Sequence, residues 1–381
     1  MAMVLNEEQA QLQDAAKKFL QADAPIAALR KLRDDKVEDG FSRDLWQQMV
    51  ELGWAGILVK EEFGGLELSP LWMGLIMEEA GRCLTASPLL STAILGVSLI
   101  QNAGNDEQKS ALLPAIAEGQ LLTALALEES HHHRPVNVQT TATKTANGYA
   151  LNGRKVMVLD GNVADKLIVV ARTTGNAGDE QGLTLFVVDA NTAGIAREKT
   201  SMVDDRNAAV VEFNNVEVDA SAVLGDVDNG FATLDPVLDI GRACLASEML
   251  GSCMEGFERV VEYLKVREQF GVLIGTFQAL KHRASDMFCE IELCKSAVRE
   301  ALNAQDEGRD ANEVARLASM AKCQLNNTAL LVSNEGVQMF GGIGMTDEEE
   351  IGFFLKRARV TMQTLGDARF HKDRYATIKG Y

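Results

Sequence analysis

"VREQFGVLIGTFQ", Val266–Gln278, interrupts a pattern that is otherwise helical. Upstream of it Val237, Ile240, Cys244, Met249, Val260 and Leu264 keep one apolar face as far as Arg267. A guanidinium, a large ring and a glycine then surround a helix break. Two accounts are open. Arg267 can satisfy the last helix carbonyls while Phe270 fills core, or the pair can meet a ligand. The rest of the chain has to decide between them.

Working outward, Asp235-Pro236 is a natural helix start, with proline in the first turn. The segments around 276–305, 311–339 and 347–365 also carry helical spacing, enough for a four-helix bundle. Residues up to about 121 read as helices as well. Asn6 can cap one with Gln9, and Ser42 another with Leu45, Trp46, Met49 and Leu52 along one face. Between 122 and 227 the period changes. "GYALNGRKVMVLDG", "ADKLIVVART", "LTLFVVDA" and "AAVVEFNNVEV" are short β-branched runs, and Asn147-Gly148 and Asn152-Gly153 read as hairpin turns. The expected class is α+β, mainly α. It has an N-terminal helical domain (1–121), a middle antiparallel β domain (122–227) and a C-terminal four-helix bundle (228–381).

Composition narrows the function. The 381 residues are 46% hydrophobic and 24% charged, with a formal net charge of −18. A nucleic acid or an anionic membrane as main partner would require a basic surface, so neither is expected. No apolar run has the length of a membrane helix, and "MAMVLNEEQAQLQ" lacks a secretory signal pattern. The six cysteines contain no CxxC pair and read as reduced thiols, which places the chain in the cytoplasm.

Several chemistries lack their motifs. There is no GxGxxG after a strand, no P-loop and no GxSxG elbow. His131, His132 and His133 are adjacent in a loop, where neighbouring side chains diverge, and no second ligand cluster accompanies them. No metal is expected.

"REQFGVLIGTFQ", then "QMFGGIGMTDE", then a closing "TLGDARFHKDRYATI" occur in an order that resembles the acyl-CoA dehydrogenase flavoproteins. The likeness spans the chain and is greatest to the small subunits of heteromeric, pimeloyl-CoA dehydrogenase-type enzymes. It implies FAD as cofactor, an acyl-CoA substrate and α,β-desaturation in fatty acid or steroid side-chain catabolism. It also implies electron-transfer flavoprotein as acceptor. Arg267 would meet the FAD pyrophosphate, for which a planar fork is suited. Phe270 and Gln278 would meet its adenosine part. Gln338 and the Gly341-Gly342 pair would come from the neighbouring subunit, the glycines allowing close backbone approach.

The sequence departs from that family where catalysis is concerned. The family's general base is a Glu at one of two places, which here are Leu365 before Gly366 and Gly241 before Arg242. Neither residue can take a proton. Asp367 and Asp239 lie two residues from those places, a displacement that rotates a helical side chain by about 200°; Asp367 is the better candidate for a relocated base, and solvated helix-end charge is the plain alternative for both. The family's Thr-Glu-Pro reads Leu127-Glu128-Glu129, its Gly-Ser run reads "SHHHRP", and the Trp and Thr of its W-x-T-N-G strand are Met157 and Leu159. The resemblance therefore implies a subunit that pairs with a paralogue supplying the Glu, in a heterotetramer. A flavin monooxygenase of the same fold and a flavin-free scaffold are the alternatives.

Overall fold

In the computed structural model, which describes residues 5–381, Asn6 and Gln9 close the capping box that their spacing predicts. It opens α1 (Glu7–Asp23), followed by α2 (Ile26–Asp34) and α3 (Arg43–Glu51). Ser42 Oγ accepts from Leu45 N at 3.2 Å, and Leu45, Trp46 and Met49 are buried as expected. Leu52 is not: it is 51% exposed, because α3 has ended and the chain turns at Gly53 with φ +79°. Next come α4 (Pro70–Arg82), a wider π-type winding over Leu89–Gly96, α5 (Val97–Ala103) and α6 (Asp106–Ala117).

The β strands are β1 (Thr123–Ala126), β2 (Thr141–Lys144), β3 (Gly148–Leu159), β4 (Lys166–Arg172), β5 (Leu183–Asp189), β6 (Ile195–Lys199), β7 (Ala208–Asp219) and β8 (Val223–Leu224). They form one sheet in the order β6-β7-β3-β2-β4-β5-β8, with β1 also on β4. The sheet is mixed rather than purely antiparallel, since β1 and β2 both run parallel to β4. Leu167 to Ala171 are all fully buried, so β4 is covered on both faces and shows no alternation. The two Asn-Gly pairs part company. Asn147-Gly148 closes the β2–β3 hairpin. Asn152-Gly153 instead lies inside β3 at a register shift, where a Cβ on Gly153 would come within 2.5 Å of Thr140.

Helix returns with α7 (Gly230–Val266), six residues before the proline that the sequence suggested as its start. Leu234 is fully buried, so packing carries the helix through Pro236 despite the missing N–H. Then follow β9 (Glu268–Gln269), β10 (Val272–Leu273), α8 (Gln278–Asp306), α9 (Ala311–Phe340), α10 (Ile351–Gln363) and α11 (Ala368–Lys379). Packing groups the chain into two units interleaved in sequence. One comprises residues up to Lys31, Pro70–Thr85 and Arg242–Tyr381; the other comprises Leu32–Ser69 and Ala86–Gly241.

In the first unit α1 packs on α4, α4 on α8, and α9 touches α8, α10 and α11. Here α4 and α7 cross so closely that a Cβ on Gly251 would lie 1.7 Å from the Glu78 carbonyl oxygen, and one on Gly81 1.9 Å from that of Glu248. Backbone on both sides cannot yield locally. Gly251→Ala should therefore lower stability by about 1–3 kcal/mol or more, read as a fall in the urea midpoint. An unchanged midpoint would show that the crossing is looser than its geometry. In the second unit the sheet interior is filled by Leu151, Leu167, Phe186, Phe213 and Val216, with Tyr149 edge-on to Phe186 at 5.2 Å. All six cysteines are free thiols. Cys83, Cys244, Cys253 and Cys294 are buried, and burial pushes the Cys244 thiol up to about 12. Among the described residues no helix is long and apolar enough to cross a membrane.

Candidate functional site

The break at Arg267 is a hairpin. Arg267 N still bonds the Tyr263 carbonyl at 2.9 Å, while its own carbonyl accepts from Ile274 N at 2.8 Å. β9 and β10 pair around Phe270 and Gly271, at φ +56° and +76°. Two successive positive φ values suit a right-twisted two-residue turn. Phe270 is 92% exposed, which removes the core-filling account of this ring. Its nearest aromatic neighbour is Phe277, edge-on at 6.2 Å. Arg267 and Gln278, the first residue of α8, are also exposed.

At the far end of α9, Gln338 is exposed and Gly341 ends the helix at φ +68°. That conformation accounts for glycine at 341. Gly342 has no such reason: its φ is not positive, and a Cβ there would meet nothing within 4 Å. The chain's own atoms do not require glycine at 342.

The terminal segment is held from below. Beyond α10, Leu365 is buried in a left-handed conformation (φ +57°), followed by Gly366 at φ +114°. The Leu365 carbonyl accepts from Arg242 Nε at 3.5 Å and His371 Nε2 at 3.1 Å. The Gly366 carbonyl accepts from Lys322 Nζ and Asn326 Nδ2, each at 3.2 Å. Arg242, His371 and Lys322 are fully buried. Asp367 caps α11, taking a bond from Phe370 N at 2.8 Å. Asp239 is buried on α7, so its reading as a solvated helix-end charge does not hold; Gly241, two residues on, is buried too. Sequence reasoning missed Lys322. The signal was present, as a lone lysine on the apolar face formed by Ala318, Ala321, Leu325 and Ala329.

In the sheet unit, Leu127 is buried and the loop after it closes on itself. Lys155 Nζ, fully buried, bonds Glu129 Oε1 at 2.8 Å and the Leu127 carbonyl at 3.0 Å. Glu129 also accepts from the backbone N–H groups of Gln139 and Thr140. Burial alone would raise the Glu129 carboxyl; the Lys155 ammonium and these bonds outweigh it and hold the group low. Glu128 bonds His133, whereas His131 and His132 are exposed. Met157 sits at φ +52° in a second irregularity of β3, and Leu159 is partly buried. Next to it, Asp160 takes a 2.5 Å bond from Ser91 Oγ, and burial pushes its carboxyl up to about 6. Among the described residues no three His, Cys, Asp or Glu side chains gather as a metal site.

Residues 6–120, 124–216 and 228–377 match, in turn, the acyl-CoA dehydrogenase N-terminal, middle and C-terminal domains. Isovaleryl-CoA dehydrogenase, mitochondrial, of Pongo abelii is 32% identical over 365 residues, spanning 93% of this chain and 85% of that protein. Among solved structures, the Tcur3481-Tcur3483 steroid ACAD matches with a TM-score of 0.87 and 28% identity over 98% of each chain. PigA with FAD and proline matches with a TM-score of 0.91 and 25% identity over 100% of this chain and 99% of that one. The chain belongs to the acyl-CoA dehydrogenase family.

Proposed function

We propose that this chain is a base-lacking subunit of an FAD-dependent acyl-CoA dehydrogenase, working in the cytoplasm beside a paralogous subunit that supplies the catalytic Glu. The observation that carries the reading is a contrast. The exposed group Arg267, Phe270 and Gln278 is intact, while the two family base positions hold Gly241 and Leu365. In this reading residues 1–121, 122–227 and 228–381 are the three domains. Electron-transfer flavoprotein is the acceptor, and a fatty or steroid side-chain thioester is the substrate.

The residues present fit FAD on its adenosine side. Arg267 offers an exposed guanidinium for a pyrophosphate, Phe270 an exposed ring face, and Gln278 and Gln338 exposed amides. Gly342 leaves open room that no neighbour in the chain uses, as a backbone-lined cradle would need. When bound, FAD supplies the hydride acceptor for desaturation. The sheet side fits less well, since Leu127 and Leu159 bring no hydroxyl, Glu128 is engaged by His133 and Glu129 by Lys155 of β3. The chain's contribution is therefore to clamp a flavin whose ring reacts in the partner's site.

Arg267→Ala removes charge-assisted bonds of roughly 1.5–3 kcal/mol each. Flavin affinity of the assembled complex should fall roughly ten- to hundredfold, measured from bound flavin absorbance. Unchanged flavin content and affinity would remove Arg267 from the site.

A further inference from the structure

A groove of about 500 Å³ runs along the C-terminal half of α7, and Tyr263, Val266 and Phe340 are its apolar lining. Tyr263 stacks on Phe340 with ring centres 4.3 Å apart, and its hydroxyl donates to the Phe340 carbonyl at 3.3 Å. The groove wall is thus fixed from the end of α9. Val266 is 71% exposed, and Phe270, Val272, Leu273 and Phe277 beyond it are exposed as well. Apolar side chains left in water in one continuous stretch, unlike single scattered ones, mark a contact surface.

The charges around the groove indicate what covers it. Among the described residues its lining holds one cation, Arg259, which is tied to Glu255 at 2.9 Å and to Glu350 at 2.8 Å. The charge still facing water is acidic. Glu258 bonds Arg82 at 3.0 Å with its side chain 56% exposed, and Glu262 bonds Lys265 at 2.6 Å with its side chain 70% exposed. Exposed pairs of this kind are weak. The Glu349 carboxylate accepts from the Glu350 N–H at 2.9 Å and, among the described residues, meets no cation. Val266 adjoins Arg267 and Phe340 adjoins Gly341, so the groove lies between the two parts of the proposed flavin clamp. A flavin pyrophosphate has the same sign as the rim and is repelled from it. A second copy of this chain would bring a net charge of −18 to an acidic surface. A segment bearing Lys and Arg fits both features. Its aliphatic stems would lie on Tyr263 and Val266, and its charged heads would reach Glu258, Glu262 and Glu349.

We propose that this groove docks a Lys- and Arg-bearing segment of the paralogous subunit, and that its acidic rim selects that subunit over a second copy of this chain. The inference rests on the two-subunit function proposed above and names the surface that carries it. Rim charges act on encounter and on partner choice, whereas the apolar lining acts on how long the complex lasts.

The test recombines the full-length chain with the paralogous subunit that co-purifies with it, and follows association and dissociation rates as salt is raised to about 0.5 M. Wild-type association should slow by about tenfold or more over that range. Glu262→Lys together with Glu349→Lys should slow association about tenfold at low salt and flatten the salt dependence. Glu198→Lys together with Glu217→Lys makes the same change in net charge at exposed positions of β6 and β7, and should do much less. Val266→Ser should speed dissociation and leave the salt dependence as it is. Equal slowing by the two charge-reversed pairs would overturn the proposal, because net charge would then be the cause. Unmoved rates in Glu262→Lys with Glu349→Lys would overturn it too, as would a self-assembled oligomer of this chain that the same pair of substitutions dissociates. A wild-type complex whose assembly ignores the groove sinks the docking alone; a chain that isolates with no paralogous subunit sinks the two-subunit function and the docking with it.

Discussion

Purified alone, the chain should turn over no saturated acyl-CoA thioester above background, and activity should appear when it is joined by a related subunit bearing Glu at a family base position. Desaturation needs a group to take the α proton, and general-base catalysis contributes roughly 10²–10⁴-fold. Leucine and glycine contribute none of it. Leu365→Glu tests the same geometry from the opposite side. Leu365 already occupies a left-handed conformation at φ +57°, so Glu inherits the same backbone cost, about 1–2 kcal/mol, and the turn need not change. Measurable turnover in that variant, with flavin bound, would place position 365 beside the substrate. Asp367 is the competing base, and the structure makes its test clean. Its carboxylate caps α11, and Asn caps about as well as Asp, so Asp367→Asn removes a base while keeping the helix. Robust turnover by the wild type alone, abolished in Asp367→Asn, would sink the two-subunit reading.

What the sequence made legible follows the range of the interactions involved. Caps are local, and Asn6 and Ser42 sit where their spacing put them. Helical faces are local too, which is why α8, α9 and α10 lie close to their expected limits. Turn signals are local but not sufficient. The same Asn-Gly pair makes a hairpin at 147 and an irregularity inside β3 at 152, where the register against β7 shifts and Asn152 Oδ1 accepts from Asn215 N. The parallel pairing of β1 and β2 with β4 likewise depends on which strand edge is free, and no dipeptide encodes that. In the candidate site, motif order picked out Arg267, Phe270 and Gln278 but not the exposure of the ring, which follows from two positive φ values in the turn. The supports beneath the terminal segment were harder to see. Arg242, the Lys322–Asn326 pair and His371 are distant in sequence and meet only because α7, α9 and α11 pack together.

The largest loss of stability is expected from Glu248→Ala. Arg357 on α10 is 1% exposed, bonds Glu248 Oε1 on α7 at 3.1 Å and the Leu84 carbonyl at 3.0 Å, and so ties the helix preceding the terminal turn to two other parts of its unit. Removing the carboxylate takes away the charge that this buried guanidinium bonds at 3.1 Å, and breaking a buried pair in this way typically costs about 3–5 kcal/mol. The double variant Glu248→Leu with Arg357→Met removes both charges and fills the space with apolar side chains. Replacing a whole buried pair in this way is often neutral or stabilising, so the double variant should regain most of what Glu248→Ala loses. Urea unfolding of the wild type, the single variant and the double variant decides the matter. A Glu248→Ala loss of under about 1 kcal/mol, the range of exposed ion pairs, would mean that the pair is solvated and does not fasten α10 to α7.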